Sequence, residues 1–185
     1  MSVLLRPAAS VTTHSLLALA VGLAVRETVA AFAPDQPVVV KWPNDVRIGA
    51  RKVAGILAEA SFRAAELQWA IVGIGCNVNG RDFPEGLGES ATSIEVATGQ
   101  PVDRAAVLEQ LLADLETGID ELWTHGPTRT LASLTSHCET LGQRVTRDEI
   151  SGFAIAIASD GALLLRDDAG AVHSMHGGEI QSERR

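Results

Sequence analysis

Two apolar runs, Lys52 to Ser61 and Leu67 to Asn77, separated only by the short connection Phe62 to Glu66, constrain this chain more than any other feature. Their length and their Val and Ile content favour strands over helices. A third run, Val38 to Trp42, reads as a buried strand, and Pro43-Asn44-Asp45 turns the chain after it. Ser2 to Arg6 adds a short strand at the start. Leu16 to Phe32 has helical character instead: Leu16, Leu19, Leu23 and Ala20, Ala24 recur at three- and four-residue steps. Pro34 and Pro37 end that helix, which is expected to be amphipathic and buried on its apolar face.

Further along, Arg81 to Ser90 is rich in Gly, Pro, Asp and Glu and reads as a mobile surface loop. Asp103 is placed to cap a long helix reaching about Trp123, with Leu108, Leu111, Leu112, Leu115, Ile119 and Leu122 on one face. Gly126-Pro127 breaks it, and a shorter helix follows to about Cys138. From Leu141 the texture changes to short strands: Gln143 to Arg147, Gly152 to Ala158, Ala162 to Arg166, Ala171 to His176 and Glu179 to Ser182. Asp160-Gly161 and Asp167-Asp168-Ala169-Gly170 supply hairpin turns between them. That spacing predicts a small β-barrel and a boundary near Cys138, dividing the chain into residues 1–138 and 139–185. The expected class is α+β: a mixed sheet with flanking helices, then a small β domain.

Charge narrows the function classes. The net charge is −8 and no block of Lys or Arg occurs. Nucleic acid and anionic membrane both need clustered cations, so neither is an expected partner. Lysine stands only at Lys41 and Lys52, in a chain that otherwise uses Arg for its positive charge. Cys76 and Cys138 form no CxxC pair and no disulfide framework, so a reducing cytoplasm is the default. Cys76 lies in an apolar run and reads as a small buried hydrophobe. Arg6, the apolar stretch Leu16 to Val25 and Ala31-Phe32-Ala33 imitate a secretory signal, but Arg26 and Glu27 interrupt them. The stretch is also too short to span a bilayer.

The chemistry concentrates in Lys41-Trp42-Pro43-Asn44-Asp45, followed by Arg51-Lys52-Val53-Ala54-Gly55-Ile56-Leu57-Ala58-Glu59. A buried strand ending in the first segment places a cation, an amide and a carboxylate together at a sheet edge, where ligand-handling residues usually sit. Gly55 leaves room for a ligand or another backbone to come close. Taken alone, a lysine at a strand end is usually a solvated charge and Pro-Asn-Asp usually only a turn. The next strand ends Gly73-Ile74-Gly75-Cys76-Asn77-Val78-Asn79, again with two glycines, and with Asn77 and Asn79 alternating onto one face. A dinucleotide fingerprint fails here, because Val78 occupies the third glycine position. His173 and His176, three apart in a strand, point to opposite faces and do not suit one metal ion. Trp42 reads as a core aromatic or a ligand-stacking one, and Trp123 as core.

Together, in order and spacing, these three segments resemble the catalytic core of biotin–protein ligases. Ser2-Val3-Leu4-Leu5-Arg6-Pro7 is similar to that family's first core strand after its biotin loop, Ala91-Thr92-Ser93-Ile94 to its adenylate-side segment, and Gly177-Gly178-Glu179-Ile180 to its terminal strand. The resemblance implies a class II synthetase-like core followed by an SH3-like barrel. It implies ATP-dependent formation of biotinyl-5'-AMP and transfer of biotin to a lysine of a carboxylase's biotin carboxyl carrier domain. Biotin, ATP and Mg²⁺ would be substrates or ligands, with no tightly bound cofactor and no resident metal site. By the same resemblance, Lys52 would hold the biotin carboxylate and α-phosphate, Lys41 would face the phosphates, and Asp45 would handle metal or the acceptor amine. Asn44 is the polar partner of Asp45, Gly55, Ile56 and Leu57 would line the biotin ring, and Asn77 would contact the nucleotide. The reading depends on two ammonium groups from neighbouring strands converging on one pocket.

One departure matters. The family's Gly/Arg-rich biotin and phosphate loop, expected before Ser2, is not in this sequence, nor is a winged helix-turn-helix, so no DNA binding is expected. The core is therefore expected to be N-terminally incomplete, and adenylation by this exact chain weak or absent. A non-catalytic biotin- or partner-binding homologue and a lipoate–protein ligase-like enzyme are the alternatives. The paired Lys41 and Arg51 segments favour biotin over lipoate. A homodimer stays open.

Overall fold

The computed structural model describes residues 1–6, 14–63 and 66–182. Pro7 of the first-strand motif and the middle of the Phe62 to Glu66 connection lie outside the described residues. Five strands, β1 (Ser2–Leu5), β2 (Val38–Lys41), β3 (Asp45–Ile48), β4 (Arg51–Arg63) and β5 (Glu66–Cys76), form one sheet in the order β1-β5-β4-β3-β2. The two long apolar runs are its centre, paired antiparallel from Ala54 with Cys76 to Arg63 with Glu66. Every strand pair in this sheet is antiparallel, which corrects the expected mixed sheet. Among the described residues, parallel pairing is confined to the isolated bridges Lys52 with Ala91 and Val40 with Cys138. Strand β3 was not anticipated. Its buried Val46 and Ile48 alternate with the half-buried Asp45 and Arg47, so a short edge-to-core strand follows the Pro43-Asn44 turn at once.

One face of the sheet is covered by α1 (His14–Phe32). This helix is not amphipathic: nearly every described position from Leu16 to Val29 is buried. It is enclosed by the sheet on one side and by α3 (Arg104–His125) on another. A Cβ at Gly22 would lie 3.9 Å from Ile56 and Val40, and one at Gly118 would lie 3.9 Å from Ala20 and Ala24. Asp103 does cap α3, its side chain accepting from the Ala105 N–H at 2.8 Å. The buried stripe is Val107, Leu111, Leu115, Ile119 and Leu122. Leu108 and Leu112 fall outside it and are nearly half exposed, a correction that follows from the angle between adjacent residues on a helix. Short α2 (Ile94–Thr98) is capped by Ser93 and ended by Gly99 at φ +78°, and α4 (Thr128–His137) follows α3.

The second sheet comprises β6 (Arg144–Arg147), β7 (Ile150–Ile157), β8 (Leu163–Arg166), β9 (Val172–Met175) and β10 (Gln181–Ser182) in the order β10-β6-β7-β8-β9. Gly161 and Gly170, both at φ +86°, make the expected turns. No pairing joins β9 to β10 among the described residues, so the sheet is open and not the closed barrel expected. Its inner residues Val145, Ala154, Leu163, Leu165, Met175 and Ile180 share one core with Leu16, Leu19, Trp42 and Leu134. Trp42 is the link. It is 1% exposed; its indole N–H donates to Gly161 at 3.1 Å and its backbone N–H to the Thr140 hydroxyl at 3.0 Å. The Trp of the Lys-Trp-Pro-Asn-Asp segment therefore fastens the second sheet against the end of β2, and acts as core. No helix among the described residues is long and apolar enough to cross a membrane.

Candidate active site

The sheet face opposite α1 is open. Antiparallel partners share a face, so Lys41, Asp45, Gly55, Leu57, Gly73 and Gly75 all lie on it. Strict alternation along β4 would send Lys52, three residues before Gly55, to the other face. It does not go there, because the β3–β4 register slips between Val46 and Arg47: Val46 pairs with Ala54 but Arg47 pairs with Lys52. Val53 is the extra residue, and Val53 and Ala54 are both buried in succession. This bulge turns Lys52 onto the open face beside Asp45 and Gly55. Its ammonium forms an ion pair with the Asp45 carboxylate. Gly55 is required by that arrangement, since a Cβ there would sit 2.9 Å from both Cε and Nζ of Lys52. The close approach anticipated at Gly55 is made by the chain's own lysine.

Lys41 and Lys52 line one cavity of about 700 Å³, together with Asp45, Gly55, Gly75 and Asn77. The two lysines come from β2 and β4, which β3 separates, so the strands are next-but-one and not neighbours. A continuation of about 390 Å³ carries Lys41, Asn44, Asp45 and Lys52 past Glu179. Asn44 is locked onto β4: its carbonyl accepts from the Ile56 N–H at 2.8 Å and its side-chain amide donates to the Ile56 carbonyl at 2.9 Å. The Ile56 side chain belongs to the core beneath α1, so only its backbone joins the open face. Leu57, by contrast, is 64% exposed there.

Asn77 donates its amide to the Thr92 carbonyl at 3.0 Å, while its own carbonyl accepts from Ile94. Asn79 brackets Val102 with its side chain alone, its amide donating to the Val102 carbonyl at 2.8 Å and its Oδ1 accepting from the Val102 N–H at 3.0 Å. Both asparagines thus tie down the segments after the Arg81 to Ser90 loop. The end of that loop is stitched to the site: Lys52 N–H donates to Ser90, and Thr92 N–H to Lys52, each at 2.8 Å. Cys76 lines the cavity, but burial pushes its thiol up to about 11, so it is an inert hydrophobe and no nucleophile. His173 is engaged by Asp167 at 2.6 Å and His176 approaches Asp160 at 3.6 Å, so the two histidines face separate carboxylates.

Two further charged residues line the cavity for which the sequence suggested no site role. Glu179, read only as part of the terminal-strand motif, is carried in by the fastening of the second sheet. Arg47 could have been found, because it stands two residues from Asp45 on a strand and so shares its face.

Residues 1–77 match the family described as the biotin/lipoate A/B protein ligase family. The chain is 34% identical over 176 residues to the "Bifunctional ligase/repressor BirA" of Bacillus spizizenii, covering 92% of this chain and 54% of that protein. It thus spans about half the length of that relative. It is 32% identical over 177 residues to the biotin–[acetyl-CoA-carboxylase] ligase of Paracoccus denitrificans, covering 91% of this chain and 74% of the relative. Its fold superposes with a TM-score of 0.85 on the biotin protein ligase of Aquifex aeolicus solved with biotin and ATP, at 29% identity, covering all of this chain and 77% of that one. An α+β fold of two antiparallel sheets, a two-lysine cavity and relatives of this kind lead to one conclusion: the chain belongs to the biotin–protein ligase family.

Proposed function

We propose that this chain is the biotin- and ATP-handling part of a ligase that makes biotinyl-5'-AMP and passes biotin to a lysine of a carboxyl carrier domain. The observation that carries the reading is the pair Lys41 and Lys52 on one open cavity, with Asp45 between them and an apolar floor beside them. Bringing a carboxylate to the α-phosphorus of ATP joins two anions, so the site must supply positive charge that strengthens as the reaction proceeds. In this reading a biotin carboxylate oxygen bonds to the α-phosphorus and the bond to pyrophosphate breaks. Mg²⁺ enters with the nucleotide as part of that substrate and neutralises the departing phosphates. Lys52 holds the carboxylate and α-phosphate, Lys41 the phosphates beyond them, and the biotin ring lies over Gly55 and Leu57. In the second step a neutral lysine amine attacks the carbonyl of the mixed anhydride, AMP leaves, and a carboxylate takes the amine's proton. Asp45 is the nearest candidate for that role, while Asn44 and Asn77 hold the two walls of the cavity.

The same reading divides the chain into a catalytic part, residues 1–138, and a small C-terminal SH3-like domain, residues 139–185. The short strands and tight Asp-Gly turns support that division, and Glu179 gives the second part a role at the cavity. The reading includes a carrier domain as macromolecular partner and a cytoplasmic setting. It includes no nucleic acid; the net charge of −8 supports that. Calorimetry tests the core of it: biotin should bind, and should bind at least ten-fold more tightly with an ATP analogue that cannot be cleaved. Independent, unlinked binding of the two, or none, would sink the reading.

A further inference from the structure

We infer that Arg47 is a third phosphate-binding cation of this site, and that Glu139 aims it. The inference rests on the proposed function and deepens it. Arg47 sits on β3 directly across from Lys52, on the open face that the bulge creates, and it lines the same cavity of about 700 Å³. With it, each of three successive strands contributes one cation to one face: Lys41 from β2, Arg47 from β3 and Lys52 from β4.

The direction along the sheet tells which part of the substrate each end meets. Beyond Lys52 toward the C-terminal end of β4 the face becomes Gly55 and exposed Leu57, which suits an apolar ring. Arg47 lies at the other end, where an apolar group would gain nothing and an anion would gain charge-assisted hydrogen bonds. Its guanidinium is held from behind: Nη1 donates to the Glu139 carboxylate at 2.7 Å, with both side chains mostly buried. That contact uses a fraction of the five guanidinium donors and fixes the plane of the rest. A planar, pre-aimed fork matches a phosphate better than a mobile ammonium does. Glu139 begins the connection from α4 to the second sheet, and its own N–H donates to the Val40 carbonyl at 3.0 Å, so the clamp is anchored on β2.

The plain alternative is that the Arg47–Glu139 pair only fastens the second sheet to the first, and the two roles have different readouts. The full chain, saturated with biotin, is titrated by calorimetry with an α,β-methylene ATP analogue and, separately, with AMP. Arg47→Ala is expected to weaken the analogue about 10- to 100-fold. Biotin and AMP should stay within two-fold, and the salt dependence of analogue binding should become shallower. Arg47→Lys should recover part of the loss, and Glu139→Gln should cost less than Arg47→Ala. Should Arg47→Ala fail to fold, Arg47→Gln removes the charge while keeping a donor for Glu139. Unchanged analogue affinity, or equal losses for biotin, AMP and the analogue, overturns the assignment. So does a wild-type chain that binds biotin but not the analogue, although the family reading then stands. A wild-type chain that binds neither overturns the proposed function itself.

Discussion

Replacing Gly55 by Ala isolates the geometry on which the site depends. The new methyl carbon would lie 2.9 Å from Cε and Nζ of Lys52 and 3.7 Å from the Asp45 carboxylate. The clashing atoms are the far end of a flexible side chain that is 46% exposed, so the ammonium can swing into solvent and the backbone need not move. What is lost from the fold is a half-exposed ion pair, about 0–1 kcal/mol after solvent screening. A glycine outside the left-handed region also gains about 0.4–1 kcal/mol on becoming Ala, because the unfolded chain has fewer states. The two effects offset, and net stability should change by no more than about 1 kcal/mol, or about 2–4 °C in Tm for a chain of this size.

Ligand binding should not be spared. Losing a positioned charge at a developing anion costs on the order of 10²- to 10³-fold in rate where it has been measured. The first measurement is urea unfolding, followed by titration with biotin and with biotinyl-5'-AMP. The adenylate should weaken at least ten-fold, and biotin less. The double variant decides the cause: if Gly55→Ala acts only by displacing Lys52, adding it to Lys52→Ala should cost nothing further. A loss of more than about 3 kcal/mol of stability would refute the reasoning, since an overpacking penalty of that size means rigid neighbours. Full additivity in the double variant would refute it equally.

Gly152→Ala should behave in the opposite way. Its Cβ would stand 2.5 Å from the Arg166 carbonyl oxygen and 3.1 Å from the Asp167 nitrogen, backbone atoms at the end of β8. Urea unfolding should show a loss of about 3 kcal/mol or more, and a loss under about 1 kcal/mol would contradict the packing. Trp42→Phe keeps an aromatic ring but opens a cavity and leaves the Gly161 carbonyl without its buried partner; a cost of at least about 1–3 kcal/mol is expected in the same assay. Asp167 is held below the usual carboxylate range, chiefly by the hydrogen bond with His173 and also by the N–H groups of Ala169 and Ala171. A depressed folded value means its stabilisation is complete above the ordinary range, about pH 4, and is lost as pH falls through the lower folded value. The Tm difference between wild type and Asp167→Asn should therefore be smaller below about pH 4 than at about pH 5.

Much of the fold was legible because its signals are local. Apolar length marked β4 and β5, Asp103 marked the start of α3, and Asp-Gly turns marked the strands of the second sheet to within a residue or two. The misses have equally physical origins. Helix α1 looked amphipathic because Leu16, Leu19 and Leu23 recur at three- and four-residue steps, yet tertiary contacts bury nearly every described position from Leu16 to Val29. The six-leucine-and-isoleucine face assigned to α3 was too broad, because Leu108 and Leu112 each sit one residue past a buried position and are turned away from the stripe. Short β3 was hidden by the turn residues before it, although Val46 and Ile48 already alternated as a strand requires.

The site itself was legible in composition but not in direction. Two lysines in a chain otherwise supplied with Arg drew attention to two residues that the fold brings to one cavity. Period-two reasoning from Gly55, however, would have pointed Lys52 into the core, where an unpaired ammonium costs far more than a fold of ordinary stability can absorb. The consecutive burial of Val53 and Ala54 is the mark of how the chain avoids this: one inserted residue reverses the alternation at the point where β4 meets the loop from Ser90. Sequence alone offers no signal for that slip, because Arg51-Lys52-Val53-Ala54 could continue either register with equal local comfort. The register is decided by β3, whose Asp45 and Arg47 must lie on the open face once Val46 and Ile48 are buried under α1. The placement of the lysine is thus a consequence of core packing on the far side of the sheet. Substitutions that loosen Val46 or Ile48 should therefore disturb the cavity as well as cost stability.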